Sequence, residues 1–134
     1  MSVLLDTHVW IWWLRGDQGL PARERTALDA LAAEGIRPLL AAMSLWEAQM
    51  LHSKARLVLD VPFEDWLRQA AHPDVVRLLP LDVSVVLALD TLPTGFHGDP
   101  ADRLIVATAR AHGLALLTHD GAIRSSGAVA LWSG

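Results

Sequence analysis

Cysteine is absent from the chain. That excludes a disulfide framework, thiolate catalysis and cysteine-ligated zinc, and it suits a reducing compartment. Positive charge is scarce: 11 Lys and Arg stand against 15 Asp and Glu, for a formal net charge of −4. A domain that holds nucleic acid by backbone charge alone carries a basic surplus. A polyanionic substrate must therefore be met by a local basic patch, by bound metal, or by both. Long apolar runs are missing too. Val9–Leu14 is apolar on every side but far short of the roughly 20 residues that span a bilayer. Asp6 and His8 interrupt the early apolar stretch, so no signal peptide is read there. A cytoplasmic protein with no membrane partner is expected. The motifs G-x-G-x-x-G, G-x-x-x-x-G-K-[ST] and G-x-S-x-G do not occur, which removes dinucleotide, P-loop and serine-hydrolase readings. No histidine pair has the spacing of a zinc helix. Asp6-Thr7-His8 lacks the second Asp of an aspartyl-phosphate phosphatase.

Hydrophobic residues make up 52% and charged residues 19% of the 134. This describes a globular chain with enough length for a sizeable core, read as a single domain over 1–134. Short apolar runs alternate with helix-length segments, the pattern of an α/β fold. Strands are predicted near 2–5, 38–41, 75–79, 114–117 and 128–131, making a mostly parallel sheet of about five. Helices are predicted near 7–14, 21–34, 44–54, 63–71, 83–91 and 100–112, with a short helical turn after Asp120. Pro21 suits a first helical position, and Gly35 and Gly113 suit the residues just past helix ends. Leu104, Ala107 and Ala111 share a stripe, beside Ile105 and Thr108, whose small residues would let that helix pack closely on the sheet. The first helix is different. Val9 and Trp13 share one face, Trp10 and Leu14 another, and Ile11 and Trp12 fill the gap, so it needs cover on more than one side.

The acids are the informative residues. Asp6 ends the run Val3-Leu4-Leu5, and Asp120 follows Leu114-Ala115-Leu116-Leu117-Thr118-His119. Glu47 and Asp102 lie just inside helical starts, in Ser44-Leu45-Trp46-Glu47 and Asp99-Pro100-Ala101-Asp102. Each has a structural explanation. Ser44 and Glu47 have the spacing of a capping box. Asp99 with Pro100 makes an N-cap followed by Pro at the first helical position. Asp6 and Asp120 could cap the helices that follow them. Capping does not require four carboxylates to share one edge, however, and in a parallel sheet the strand ends meet at a single edge. Carboxylates gathered there repel by roughly 4 kcal/mol per pair at 4 Å and an effective dielectric of about 20. Protons or a divalent cation must neutralise them, and magnesium or manganese takes such oxygen ligands while keeping waters for substrate. His97 and His119 read as loop or surface histidines, with a supporting role for His119 as the lesser option; His8, His52, His72 and His112 carry no functional signal.

Four blocks together resemble a known family. Leu4-Leu5-Asp6-Thr7-His8-Val9-Trp10, Ser44-Leu45-Trp46-Glu47, His97-Gly98-Asp99-Pro100-Ala101-Asp102-Arg103-Leu104-Ile105-Val106-Ala107-Thr108-Ala109 and Leu117-Thr118-His119-Asp120 are similar to PIN-domain ribonucleases, namely the VapC-type toxins of toxin–antitoxin pairs. The resemblance spans nearly the whole chain. It implies a three-layer PIN-like fold and metal-dependent hydrolysis of RNA phosphodiesters with Mg2+, or Mn2+, as cofactor. By the same resemblance Asp6, Glu47, Asp102 and Asp120 are catalytic. Asp6, Asp99, Asp102 and Asp120 are the metal-binding acids, with Glu47 or Asp120 acting on the attacking water. Thr118 supports as a neighbouring hydroxyl, and Arg103 pairs with a carboxylate in preference to holding a phosphate. Two positions depart from the pattern: Ala101 stands where Phe is frequent, and His119 occupies a variable position. A cognate VapB-like antitoxin and a homodimer, or a hetero-oligomer with the antitoxin, are further implications, with Trp10, Trp12 or Trp13 at the interface.

Two other readings compete. A phosphoacceptor receiver-like domain also gathers acids and magnesium, but it places a Lys in a late loop, whereas the one lysine here is Lys54. A PIN-fold subunit that has lost catalysis would not be expected to keep every acid.

Overall fold

The computed structural model describes residues 2–134. Four three-residue strands, β1 (Val3–Leu5), β2 (Leu39–Ala41), β3 (Arg77–Leu79) and β4 (Ala115–Leu117), form one sheet in the order β3-β2-β1-β4. All three pairings are parallel. Alternation along the strands assigns side chains to two faces. Val3, Leu5, Leu40 and Leu117 join one buried cluster, while Leu4, Leu39, Ala41 and Leu116 join another. Cover on both faces is what a parallel sheet of continuous apolar runs requires. The predicted fifth strand at 128–131 is not formed. That segment makes only an isolated bridge, Leu116 to Leu131, held by Leu116 N–H to Ala130 O and Trp132 N–H to Leu116 O. Ser126 and Gly127 turn the chain just before it, and one bridge is all the pairing it achieves.

Among the described residues seven helices surround the sheet: α1 (Thr7–Arg15), α2 (Ala22–Ala33), α3 (Ala42–Ser53), α4 (Phe63–Ala70), α5 (Val83–Leu89), α6 (Pro100–His112) and α7 (Gly121–Ser126). Residues of α1, α2 and α4 pack on one face, including Trp10, Leu28 and Trp66, and those of α6 and α7 on the other, including Ile105 and Ile123. The layers are thus helix, sheet and helix. α3 touches both α1 and α6. Gly113 ends α6 at φ 63°, a left-handed conformation that lacks a steric penalty only in glycine. Among the described residues no helix is long and apolar enough to cross a membrane.

Two expectations about helix faces are corrected. Leu104, Ala107 and Ala111 do not face the sheet; they meet Val85 and Ala88 of α5. Ile105, Val106 and Ala109 take the sheet side. α6 is therefore buried between the sheet and α5, and its small residues admit a helix, not a strand. Trp10 is fully buried in the core, where its Nε1–H donates to Ala70 O at 2.9 Å and its ring lies 5.3 Å from that of Trp66. It is therefore unavailable to a partner. Trp12 and Trp13 are half-buried against the same cluster. The chain itself covers Trp10, while Trp12 and Trp13 stay partly exposed.

Candidate functional site

Strand order explains why distant acids meet. The chain runs from β1 outward to β2 and β3, then returns to place β4 on the opposite side of β1. The carboxyl ends of β1 and β4 therefore flank the switch point, where parallel sheets open a crevice. Leu5 pairs with Leu117, so Asp6 and Thr118 come next to each other. Asp6 N–H donates to Leu117 O at 3.0 Å, and the Thr118 hydroxyl donates to Asp6 Oδ2 at 2.6 Å. Asp6 Oδ1 accepts from Thr7 N–H at 2.8 Å. Asp6, Thr7 and Thr118 are all buried.

Glu47 arrives by a different route from the one expected. Ser44 and Glu47 make no capping box, because α3 starts earlier, at Ala42, with Ala41 at its N-cap and no side-chain cap. β2 feeds straight into the helix, so Ser44 already lies inside the first turn and its hydroxyl instead meets the Thr7 hydroxyl at 2.9 Å. That link joins α3 to α1. Glu47 is buried, and its Oε1 has no hydrogen-bond partner. Pro21 is the N-cap of α2 and not its first helical residue, whereas the caps at Asp99 and Asp120 are as expected. Asp99 Oδ1 accepts from Asp102 N–H at 3.0 Å, Pro100 follows it, and Asp120 Oδ1 accepts from Ile123 N–H at 2.9 Å.

Asp6, Glu47, Asp99, Asp102 and Asp120 all line one cleft of about 380 Å³, and His8, Val9, Trp12 and His119 complete it. No Lys or Arg lines it. Burial pushes the Asp6 carboxyl above its ordinary value, against the pull of the Thr118 and Thr7 hydrogen bonds. Burial likewise raises Glu47, with Asp6 and Asp102 adding repulsion and the Thr7 hydroxyl opposing it. Asp102 is raised by burial first and then by Asp6, Asp99 and Asp120, while His97 acts in the opposite sense. Three acids whose pKa values are raised by burial and by one another describe a site with a deficit of positive charge. The donor atoms of His97, Asp102 and Asp120 lie within 4.8 Å of one another, a spacing that one cation could bridge. The oxygen-rich donors and the unpartnered Glu47 Oε1 suit a hard divalent ion.

Several side chains depart from the sequence reading. His97 and His119 are not idle loop histidines. His97 Nε2 meets Asp102 Oδ2 at 2.7 Å, and His119 Nε2 meets Glu24 Oε1 at 2.6 Å. Since its ring nitrogen already engages Asp102, His97 orients that carboxylate. Arg103 forms no carboxylate pair; its guanidinium points to Phe96 O and His97 O at 3.4 and 3.5 Å, bracing the loop before α6. Arg124 is similarly committed to Thr118 O at 2.9 Å. Glu24 is not marked by the sequence, Ser44 reads only as a capping partner, and His8 and Thr7 read as having no role at the site. Glu24 sits in the polar stretch Ala22-Arg23-Glu24-Arg25, which reads as a solvated face, and no spacing rule connects it to His119. Lys54 caps the far end of α3, about 10 Å along the axis from Glu47 at 1.5 Å per residue. A receiver-like lysine beside the acids is therefore missing.

Residues 3–127 match the PIN domain family. Ribonuclease VapC22 of Mycobacterium tuberculosis (strain ATCC 25618 / H37Rv) is 40% identical over 127 residues, covering 92% of this chain and 91% of that protein. The solved structure of FitAB bound to an IR36 DNA fragment is 28% identical, covers 97% of this chain and 93% of its own, and superimposes with a TM-score of 0.67. VapBC2 from Rickettsia felis, bound to a DNA fragment from its promoter, gives a TM-score of 0.71 at 16% identity, covering 98% of both chains, a likeness of fold.

Proposed function

The chain belongs to the PIN-domain family, and from that premise we propose that it is a divalent-metal-dependent endoribonuclease, the toxin of a VapC-type toxin–antitoxin pair. The observation that carries the reading is the convergence of Asp6, Glu47, Asp99, Asp102 and Asp120 on one cleft. The 40% identity to a ribonuclease supports the substrate class. Composition leaves a basic patch or a metal to receive a polyanion, and the cleft has no Lys or Arg. A metal is the remaining answer.

Asp6, Asp102 and Asp120 would hold the ion, with Asp99 at the exposed rim as a further ligand and Mg2+ or Mn2+ as the fitting cations. A bound divalent cation supplies the charge that polarises a phosphoryl oxygen and lowers the pKa of water. The protein's own groups do the rest. Thr118 and the Thr7 amide fix both oxygens of Asp6, and His97 fixes one oxygen of Asp102. Glu47 lines the cleft and its buried Oε1 has no hydrogen-bond partner, so it would be the group to take a proton from attacking water. Asp120 is constrained by its cap, which favours a ligand role over a mobile base.

An antitoxin partner follows from the same family reading, and we extend it to a homodimer and to the full 1–134 span acting as one domain. Val83, Val86 and Leu87 of α5 are exposed and offer apolar surface to a second protein, as Trp10 does not. The test compares the parent protein with Asp6→Asn on a labelled total-RNA pool in magnesium, manganese or chelator. Cleavage by the parent that is lost in Asp6→Asn and in chelator is expected. Equal cleavage by both, or cleavage that survives chelation, overturns the reading.

A further inference from the structure

One wall of the acid cleft is aromatic, and phosphodiester hydrolysis alone does not call for it. His8 and Trp12 stand one turn apart on α1, with ring centroids 5.9 Å apart and tilted by 52°. Trp12 and His119 are 6.1 Å apart, tilted by 45°. All three line the cleft with the acids. The wall is held in place from behind. Gly19 passes so close to the indole that a Cβ there would sit 2.9 Å from Trp12 Cε2. Arg25 ties down the end of α1 through Trp12 O, Trp13 O and Asp17 O. His119 is held by Glu24, a buried carboxylate in the first turn of α2, at 2.6 Å. Burying a carboxylate costs desolvation, and here the cost is spent on fixing one exposed ring at the cleft.

Resting on the ribonuclease reading, we propose that His8, Trp12 and His119 form a nucleobase subsite, which receives an unpaired base flanking the phosphate at the acid cluster. Charge makes the subsite necessary. The chain carries a net −4 and no Lys or Arg in the cleft, so backbone attraction beyond the cation is weak. Stacking on aromatic rings adds affinity without charge, and every base has a face to offer. Bases inside an A-form duplex are beyond reach of such a wall, so the base it receives is unpaired. Glu24 is a positioning residue that keeps the His119 ring at the angle the base meets.

The test uses a short RNA oligonucleotide carrying the cleavage site mapped in the total-RNA pool, and a series in which single nucleotides near that site are made abasic. In the parent protein, removing the base that occupies the subsite is expected to lower kcat/KM by about 5- to 150-fold, the range of one stacked base. Trp12→Leu, His8→Ala and His119→Ala are each expected to lower kcat/KM on the intact oligonucleotide and to reduce the further loss from the same abasic substitution, while Trp12→Phe keeps it. His8 is exposed, so His8→Ala carries the test if Trp12→Leu does not fold. If the parent cuts RNA with no position-dependent abasic loss, or if the variants keep the full loss, the subsite is refuted and the ribonuclease reading stands. If no RNA is cut in any metal, both fall.

Discussion

Glu47→Gln is expected to make the protein more stable while removing its activity. Glu47 Oε1 is buried without a partner, and an unsatisfied buried polar atom costs about 1–3 kcal/mol, more when charged. Burial, with Asp6 and Asp102 nearby, pushes its pKa up, so the charged form is the costly one. The amide removes the charge and brings N–H donors to neighbouring carboxylates. A gain of about 1–3 kcal/mol corresponds to a Tm rise of roughly 3–12 °C for a chain of this size. The pH dependence has a defined sign. A carboxyl whose folded pKa lies above its unfolded one binds more protons folded than unfolded between the two values. Its contribution to stability therefore falls as pH rises from the ordinary value of 4.5 through the raised folded value. The advantage of Glu47→Gln should be full above that window and fade as pH falls toward 4.5. Divalent ions act oppositely: at a hundred times Kd they would stabilise the parent by about 2.7 kcal/mol, and the variant by less. Thermal melts in chelator and in Mg2+ or Mn2+, across pH, measure all of this. A variant that melts below the parent in chelator at neutral pH, or a Tm difference indifferent to pH, refutes the reasoning.

His97→Ala should leave the fold intact but release Asp102, lowering metal affinity by about 10- to 100-fold; metal titration followed by calorimetry would read the change. Thr118→Val removes the 2.6 Å donor to Asp6 and should cost about 1.5–3 kcal/mol, the worth of a hydrogen bond to a charged group, visible as a lower urea midpoint at neutral pH and a smaller difference in acid. Ala107→Leu inserts methylenes between α5 and α6, where the residue is fully buried, and should destabilise by about 1–3 kcal/mol in the same denaturation assay. An unchanged midpoint would mean that α5 moves away without cost.

Most elements were legible because apolar runs and caps carry local information. The runs at Val3–Leu5 and Ala115–Leu117 and the Asp99-Pro100 start of α6 lie where expected. The acids were legible because strand ends in a parallel sheet share an edge. What escaped depends on pairing across the fold. The stripe Leu104, Ala107, Ala111 looks the same in sequence whether a strand or a helix meets it. The expected capping box at Ser44 failed because α3 begins directly out of β2, a boundary that side-chain spacing does not encode. The Glu24–His119 contact spans α2 and the loop after β4, and neither partner signals the other. Arg103 beside Asp102 suggested an ion pair, yet the loop carbonyls of Phe96 and His97 claim it.

The placement of β4 beside β1 also has a consequence in time. Chains are made from the amino end at about 5–20 residues per second, so Asp120 is synthesised several seconds after Asp6. Thr118, which holds Asp6, arrives equally late. A nascent chain halted before β4 has Asp6 and Glu47 in hand but neither the strand that completes the crevice nor the hydroxyl that anchors its first acid. The acid set cannot close on the ribosome until β4 and Asp120 have emerged. A chain stopped before β4 therefore carries an incomplete cleft.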